Sequence, residues 1–397
     1  KIRGISKDKA ISFSEQARKI SGIMDLSEYL NDYQISPSDC IKIYNIFGAE
    51  AVNIIRENPY ILCDEGINLP FEVADRIAYG NDELRESDYR IRAAINHILN
   101  FNRVNGHTCL PKNKLCEISA QFVEIEIEKT SDILEEMVED RSLYEAEFNE
   151  RSFIFLPYLY NAETYAAARM QMLLRYPAGS ILNIEKEIDE IEKKDNIKYA
   201  DLQRTAIEKA LSSGLLILTG GPGTGKTTTL NAIIKILKKN GEKVFLAAPT
   251  GRAAHRMSEL TGCEAKTIHR LLEVYWADEN TPRFQKNEKN SLSCDALVLD
   301  ELSMIDSQLF EAVMRALPLG CRLIMVGDSD QLPSVGPGNV LSDLIASGQI
   351  PVVSLKEIFR QSMKSLIVTN AHKIVEGEMP QLDVRNNDFF FLESHSS

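Results

Sequence analysis

Nearly continuous apolar runs alternate with helix-like spacing in the second half of the chain. The runs lie at residues 215–219, 244–248, 296–299, 323–326 and 352–355. Runs of this length predict strands that are buried on both faces. Between the first two runs, apolar residues recur at the spacing of one helix face, at Leu230, Ile233, Ile234 and Leu237. This alternation is typical of an α/β domain with a parallel sheet, which we place at residues 200–349.

The first half of the chain has shorter helical segments separated by turn residues. We expect a helical domain over residues 1–85 and a small winged-helix-like α+β module over residues 86–160. Residues 161–199 predict a helical linker, because residues 185–194 mix charges of both signs as a solvated helix does. The predicted fold class is therefore multidomain, with a helical N-terminal region followed by the α/β domain.

Two glycine turns in the helical region each precede an amphipathic segment. The turns begin at Gly4 and Gly66, and their surroundings resemble helix-hairpin-helix units. Turns of this kind can present backbone N–H groups to DNA phosphates. A helical bundle without DNA contact is the alternative interpretation.

A phosphate-binding loop lies between the first apolar strand of the α/β region and the helix that follows it. Residues 220–227 match the spacing Gly-x-x-x-x-Gly-Lys-Thr. We expect Lys226 to neutralise the β- and γ-phosphates of a nucleotide, and Thr227 to supply a hydroxyl group to Mg²⁺. The predicted cofactor-binding residues of this segment are Gly221, Pro222, Gly223, Thr224, Gly225, Lys226, Thr227 and Thr228.

Polar residues follow two later strands, at the sheet edge where ligands bind in open α/β folds. Asp300 and Glu301 come directly after the strand at 296–299, and Gln331 follows the strand at 323–326. We expect Asp300 to hold Mg²⁺ together with Thr227, and Glu301 to deprotonate the attacking water. Gln331 is predicted to contact the γ-phosphate and to respond when that group is lost.

Composition narrows the functional classes without changing the fold prediction. The formal net charge of −13 argues against a broadly basic surface, so any nucleic acid is expected in a local groove. The seven cysteines form no Cys-x-x-Cys pair, and an odd number suits a reducing compartment. No apolar run reaches the about 18 residues that a membrane helix needs. We therefore expect a cytoplasmic protein that does not span a membrane.

Taken in order, these motifs resemble those of superfamily 1 DNA helicases of the RecD-like family, the exonuclease V alpha subunits. The resemblance is to the branch with an N-terminal helix-hairpin-helix extension. Further matching segments lie at residues 248–254, 267–272, 300–306 and 359–361. The resemblance implies an ATP- and Mg²⁺-dependent DNA helicase with a RecA-like ATPase domain. It also implies 5′-to-3′ movement on single-stranded DNA and action in DNA repair or recombination.

The resemblance assigns roles to several further residues. Gln203 matches a glutamine that reads the adenine edge, and Arg360 matches an arginine that reaches the γ-phosphate across a domain cleft. A hairpin within residues 273–293, with Trp276 and Phe284, corresponds to a pin that splits the duplex. The implied contacts to the DNA backbone are Pro249, Thr250, Arg252, Thr267 and His269. An exposed helical glutamine, a core-packing His269 and an ordinary surface hairpin are the alternatives.

The family pattern also predicts a second RecA-like domain. We expect residues 350–397 to hold only its start, since the later motifs are not found after Arg360. The chain is therefore expected to be a fragment that keeps the ATP-binding half and hydrolyses ATP poorly. A nucleotide-switched module that binds DNA or a partner without unwinding is one alternative function. A subunit of a RecBCD-type nuclease complex is the other.

Several partners follow from the resemblance. They are single-stranded DNA and duplex junctions, with a monomeric protein as the expected state. The N-terminal region is a candidate site for a repair-protein partner.

Overall fold

The computed structural model describes residues 7–64, 66–278, 281–357, 364–382 and 388–392. The chain divides into two compact units. Unit 1 comprises residues 1–103 and 108–157, and unit 2 comprises residues 104–107 and 158–397. Among the described residues, no helix is both long and apolar enough to cross a lipid bilayer.

Unit 1 begins with short helices and ends with a small sheet. Its helices are α1 (Lys7–Leu30), α2 (Pro37–Phe47), α3 (Ala51–Glu57), α4 (Phe71–Ala78), α5 (Asp82–Arg85), α6 (Asp88–Val104), α7 (Lys112–Val123) and α8 (Ile127–Glu139). Its strands are β1 (Cys109–Pro111), β2 (Tyr144–Phe148) and β3 (Arg151–Phe155).

The helical part of unit 1 closes around a small apolar core. Leu26 and Leu30 of α1 are fully buried there with Ile43 of α2 and Ile55 of α3. Helix α2 begins where the Ser36 hydroxyl accepts a hydrogen bond from an N–H group of the first turn. The helical region predicted from the sequence is therefore present.

One of the two predicted glycine turns can be described. Gly66 has φ of 99° and Asn68 has φ of 56°, both in the left-handed region that these residue types tolerate. Helix α4 begins shortly afterwards, at Phe71. The companion turn at Gly4 lies outside the described residues.

Helices α6 to α8 and strands β1 to β3 form the α+β part of unit 1. The three strands make an antiparallel sheet in the order β1-β3-β2. Along the chain the order is helix, strand, helix, helix, strand, strand. The region therefore contains both helices and strands, and the winged-helix-like module over residues 86–160 stays a prediction.

Unit 2 contains the α/β fold. Its helices are α9 (Pro157–Arg175), α10 (Ile184–Asp195), α11 (Asp201–Ser212), α12 (Lys226–Lys239), α13 (Gly251–Thr261), α14 (Ile268–Leu271), α15 (Ser307–Ala316), α16 (Val340–Ala346) and α17 (Leu366–Val375). Its strands are β4 (Leu215–Gly220), β5 (Val244–Ala248), β6 (Ala265–Thr267), β7 (Val274–Asp278), β8 (Thr281–Phe284), β9 (Ala296–Leu299), β10 (Arg322–Gly327) and β11 (Val352–Leu355).

Six of these strands form one parallel sheet in the order β11-β4-β10-β9-β5-β6. Successive residues of β4 point to opposite faces of the sheet: Leu215 and Ile217 enter one core, and Leu216 and Leu218 enter the other. Helices α9 and α15 cover the first face, whereas α10, α11 and α12 cover the second. Both faces are thus buried, which explains the continuous apolar runs. The predicted fold class is confirmed.

The predicted linker over residues 161–199 is wrong, because both of its helices pack on the sheet. Met170 and Leu173 of α9 belong to one core, and Ile188 and Ile191 of α10 belong to the other. The charges of α10 pair with neighbouring helices, as in the hydrogen bond of 2.9 Å from Lys239 to Glu187. The mixed charges therefore mark the outer face of an integral helix.

The predicted domain boundary at residue 350 is also wrong. Strand β11 pairs in parallel with β4, with Val352 opposite Ile217 and Leu355 opposite Gly220. It therefore belongs to the same sheet as the phosphate loop. The described residues 388–392 contain a turn and a single bridge.

A two-stranded hairpin lies within residues 273–293, as predicted. Strands β7 and β8 are antiparallel, with Val274 opposite Phe284. Trp276 is 60% exposed on it. Residues 279–280 lie outside the described residues.

One partly buried ion pair joins α4 to α6 in unit 1. Arg90 of α6 donates to both carboxylate oxygens of Asp75 in α4, at 2.7 and 3.2 Å. Tyr60 donates to the same carboxylate at 2.7 Å, and Arg90 also donates to the carbonyl oxygen of Val123 at 2.8 Å. Burial opposes ionisation of Asp75, but the hydrogen bonds from Arg90 and Tyr60 outweigh it and hold the pKa below its usual range.

We predict that Asp75→Asn destabilises unit 1 by about 1–3 kcal/mol, because a charged hydrogen-bond partner of Arg90 is lost. The contribution of Asp75 is present above the unfolded pKa of about 3.9 and disappears as pH falls through the lower folded pKa. Hydrogen exchange of the α4 and α6 amides, measured from neutral to acidic pH, checks this prediction. Asp25→Asn, at an exposed position of α1, is the control. Equal exchange in the two variants at neutral pH would contradict it.

Candidate functional site

The phosphate loop connects β4 to α12 through a tight path that requires glycine. Gly223 and Gly225 have φ of 78° and 87°, in the left-handed region. A Cβ atom on Gly220 would lie 2.5 Å from the carbonyl oxygen of Leu355. The loop is thus pressed against the end of β11, and Thr227 and Thr228 lie in the first turn of α12.

The ammonium group of Lys226 is turned into the phosphate loop. It donates to the carbonyl oxygen of Gly220 and, at 3.1 Å, to that of Gly221. Burial lowers the pKa of Lys226, and the carboxylates of Asp328, Glu301 and Asp300 oppose this shift. The carbonyl oxygens of the loop thus bind the Lys226 ammonium group, and phosphate oxygens could replace them as hydrogen-bond acceptors.

Asp300 and Glu301 leave the sheet at the carboxyl end of β9. The backbone N–H of Asp300 donates to the carbonyl oxygen of Ala247 on β5 at 2.9 Å. Burial raises the pKa of Asp300. Burial also raises the pKa of Glu301, and the nearby charge of Asp300 adds to that effect. Glu301 has φ of 54°, and such strain in a non-glycine residue is typical of functional positions.

The residues present fit a magnesium ion. Thr227 and Asp300 offer a hydroxyl and a carboxylate oxygen, the hard ligands that Mg²⁺ prefers. In the described part of the chain, no three His, Cys, Asp or Glu side chains cluster as a metal site of their own. The remaining ligands would therefore be phosphate oxygens and water, as is usual for Mg²⁺ in nucleotide sites.

Gln203 links the start of α11 to the phosphate loop. Its Oε1 accepts from the N–H of Ala200 at 3.0 Å, and its Nε2 donates to the carbonyl oxygen of Gly225 at 3.4 Å. The side-chain amide retains one further acceptor lone pair and one further N–H, enough to contact an adenine edge. A shallow crevice adjoins it, lined by Ala200, Leu202, Gln203, Thr224, Leu355, Lys356 and Glu357.

The strand β10 brings one carboxylate that the sequence interpretation did not assign. Asp328 directly follows β10, as Asp300 follows β9, and it is 3% exposed. Its negative charge, like those of Glu301 and Asp300, favours the charged form of Lys226 and raises its pKa. Gln331, which was expected to contact the γ-phosphate, is exposed in the turn that follows. The position directly after a buried strand was the signal that could have identified Asp328.

Arg256 is a second residue that the sequence interpretation missed. It lies on α13 and opposes the rise in the pKa of both Asp300 and Glu301 through its charge. Its spacing of four residues from Arg252 places both arginines on one side of the helix. That spacing was visible in the sequence, but it matched no motif.

The residues predicted to contact DNA lie at the ends of the neighbouring strands. Thr250, next to Pro249, accepts from the N–H of Ala253 and begins α13, while Thr267 accepts from the N–H of Arg270 and begins α14. Arg252 is exposed on α13. The two helix starts present backbone N–H groups at one sheet edge, which suits phosphate groups.

His269 joins this edge to the hairpin. The ring centroids of His269 and Phe284 are 5.9 Å apart. His269 is partly buried, so the contact accounts for part of its packing. Arg360, the last of the predicted site residues, lies outside the described residues.

Two family models match separate parts of the chain. A family model described as the ATP-dependent RecD2 DNA helicase HHH domain matches residues 19–109, and one described as an AAA domain matches residues 198–391. The ATP-dependent RecD2 DNA helicase of Deinococcus radiodurans is 30% identical over 383 residues, covering 93% of this chain and 51% of that protein.

Two further matches cover smaller shares of the chain. The RecBCD enzyme subunit RecD of Mycolicibacterium smegmatis is 40% identical over 182 residues, covering 40% of this chain and 32% of that protein. A crystal structure of Pif1 helicase from Candida albicans matches 46% of this chain and 45% of its own, with 25% identity and a TM-score of 0.34. The chain spans about half the length of the first relative and about a third of the second.

We predict that Gln203→Glu and Gln203→Ala both weaken binding of a fluorescent ATP analogue about tenfold, because both lose the hydrogen bond to Gly225. Gln203→Ala should also lower the thermal midpoint, because it removes the acceptor for the N–H of Ala200. Gln349→Glu, at an exposed position, is the matched control. Unchanged analogue affinity in both Gln203 variants would exclude a role for this side chain in the nucleotide site.

Proposed function

The chain belongs to the RecD-like family of superfamily 1 helicases, and from this premise we propose that it forms the ATP-binding part of an ATP-dependent DNA helicase. The observation that carries the proposal is the meeting of Lys226, Asp300 and Glu301 at the carboxyl edge of one parallel sheet. Movement from 5′ to 3′ on single-stranded DNA and action in repair or recombination belong to the same proposal. They rest on the family resemblance.

ATP hydrolysis at this edge needs charge neutralisation, a positioned water and a base. Lys226 would leave the carbonyl groups of Gly220 and Gly221 and donate to the β- and γ-phosphates. Asp300 and Thr227 would hold Mg²⁺, which would favour the ionised form of Asp300. Glu301 would accept the proton of the attacking water, and a raised pKa makes it a stronger base.

Arg360 would stabilise charge on the transferring phosphoryl group. An arginine in this role is worth about 10³–10⁵ in rate. Gln331 would contact the γ-phosphate from its exposed turn and respond to hydrolysis.

Single-stranded DNA would lie along the edge formed by the starts of α13 and α14. Thr250 and Thr267 hold these helix starts, and the N–H groups there can bind phosphates without reading sequence. Arg252 adds a positive charge. The exposed Trp276 of the hairpin would stack against the base pair at a duplex junction.

Two other functions use parts of the same structure. A nucleotide-switched module would bind DNA with an affinity that depends on ATP, but it would not separate strands. A subunit of a nuclease complex is favoured by the similarity of part of the chain to a RecD subunit. The match of residues 19–109 to the RecD2 helix-hairpin-helix model favours the helicase.

We predict that Lys226→Ala lowers the DNA-stimulated ATPase rate of the protein, in the form its gene encodes, to background. The reason is that the variant lacks the ammonium group that would neutralise the β- and γ-phosphates of ATP. ATP hydrolysis with and without single-stranded DNA, and unwinding of a forked duplex, are the measurements. Lys238→Ala, near the far end of the same helix, is the control. If DNA does not stimulate ATP hydrolysis by the wild-type protein, the helicase proposal is contradicted. If the protein binds DNA in an ATP-dependent way without separating its strands, the nucleotide-switched module is supported.

We predict that the ATPase rate of the wild-type protein falls as the pH drops through the raised pKa of Glu301, because only the ionised carboxylate can accept a proton. Glu301→Gln should lower kcat about 10²- to 10⁴-fold and remove this acidic limb. The pH dependence of kcat at saturating ATP is the measurement. Glu259→Gln, at an exposed position of α13, should leave the profile unchanged. An acidic limb that persists in Glu301→Gln would assign it to another group.

A further inference from the structure

Two buried cysteine side chains lie together at the amino edge of the parallel sheet. The Sγ atoms of Cys294 and Cys321 are 3.7 Å apart. Cys294 stands two residues before β9 begins, and Cys321 stands directly before β10, the neighbouring strand. Both side chains belong to the core that contains Leu297 and Leu323. Asp300 lies at the opposite end of β9, so the hydrolysis proposed above does not use this pair.

The strand register places the two cysteines within reach of a disulfide bond. Ala296 lies opposite Arg322, so Cys294 and Cys321 are offset by one residue along the two strands. Neighbouring strands lie about 4.8 Å apart and each residue advances about 3.3 Å, which puts the two Cα atoms about 6 Å apart. A disulfide accepts Cα separations of about 4.4–6.8 Å, and its S–S bond is about 2.05 Å long. The bond can therefore form by side-chain movement, without a change in strand pairing.

The surroundings of the pair divide its two sulfur atoms into a nucleophile and a proton donor. The hydrogen bond from Cys321 lowers the pKa of Cys294, although burial opposes this shift. The negative charge of Asp295 also opposes it, whereas the ammonium group of Lys243 adds to it. The hydrogen bond between the thiols raises the pKa of Cys321. Because the thiolate is the reactive form of cysteine, Cys294 is the sulfur that reacts first.

The pair is buried, but it lies directly beneath exposed chain. Cys294 is 7% exposed and Cys321 is 3% exposed. Ser293 and Asp295, on either side of Cys294, are exposed, as is Gly320 before Cys321. Local opening of a short surface segment can expose a buried group without global unfolding. A small oxidant can therefore reach Cys294 from the amino edge of the sheet.

We propose that Cys294 and Cys321 form a reversible disulfide when the protein is exposed to hydrogen peroxide. The Cys294 thiolate attacks one peroxide oxygen, the O–O bond breaks, and a sulfenic acid forms as hydroxide leaves. The Cys321 sulfur then attacks the Cys294 sulfur, so that the S–S bond forms and the oxygen leaves as water. Two thiols are thus oxidised to one disulfide, and one hydrogen peroxide is reduced to two water molecules. The bond ties β9 to β10, and the inference does not depend on the proposed helicase function.

Peptide mapping of the folded wild-type protein after treatment with hydrogen peroxide tests the bond directly. The remaining thiols are alkylated in denaturant before digestion. The expected product is a pair of peptides joined through Cys294 and Cys321, which dithiothreitol separates. Cys263→Ser, which removes a less buried cysteine, is the matched control and should give the same product. Any result in which Cys294 and Cys321 are not joined to each other would overturn the inference.

Thermal unfolding tests the effect of the bond on the protein, without any need for ATPase activity. The oxidised wild-type protein should unfold about 5–10 °C above the reduced protein, because a disulfide across 27 residues of sequence restricts the unfolded chain. Cys263→Ser should show the same rise on oxidation, whereas Cys294→Ser and Cys321→Ser should show none. A rise that persists in Cys294→Ser, or no rise in the wild-type protein, would overturn the inference.

Phenylarsine oxide, a trivalent arsenical that bridges two adjacent thiols, tests the pairing in the reduced protein. The reduced wild-type protein should bind it, and Cys263→Ser should bind it equally well. Cys294→Ser and Cys321→Ser should each lose this binding, because either change leaves a single thiol at the amino edge of the sheet. Absence of binding to the reduced wild-type protein would overturn the inference. If a serine variant does not fold, the peptide map of the wild-type protein still decides the question.

Discussion

The parallel pairing of β4 with β10 and β11 is the constraint on which the site depends. In this register Thr219 lies opposite Gly327 and Gly220 lies opposite Leu355. The phosphate loop therefore begins level with Asp328, which follows Gly327. A shift by one residue would exchange Leu216 and Ile217 between two separate cores, so burial on both faces holds the register.

At the carboxyl edge of this sheet, burial and opposite charges shift the pKa values of the site residues in opposite directions. Burial moves the pKa of Lys226 down and those of Asp300 and Glu301 up, so each group is shifted toward its neutral form. The opposite charges across the site oppose each of these shifts. A nucleotide phosphate would give Lys226 an anionic partner, and Mg²⁺ would give Asp300 a cationic one. The proposed reaction therefore agrees with the electrostatics of the site.

Features that depend only on residues close together in the sequence could be predicted from it. The strands of the sheet were predictable because a strand buried on both faces must be apolar throughout, as in β4 and β9. The phosphate loop was predictable because its glycines and Lys226 stand at a fixed spacing between a strand and a helix. For α10 the same reasoning failed, because charges on the outer face of a packed helix and on a solvated linker look alike.

The sequence by itself determined the fold class, the phosphate loop and the acidic pair at Asp300, since each is encoded within a few consecutive residues. Only the tertiary structure decided that β11 joins the six-stranded parallel sheet beside β4, because strand pairing depends on which edge of the sheet is left open. It alone also revealed His372 against Pro222, which is 150 residues away along the chain. Contacts between residues so far apart leave no local pattern, because they arise from the packing of complete elements.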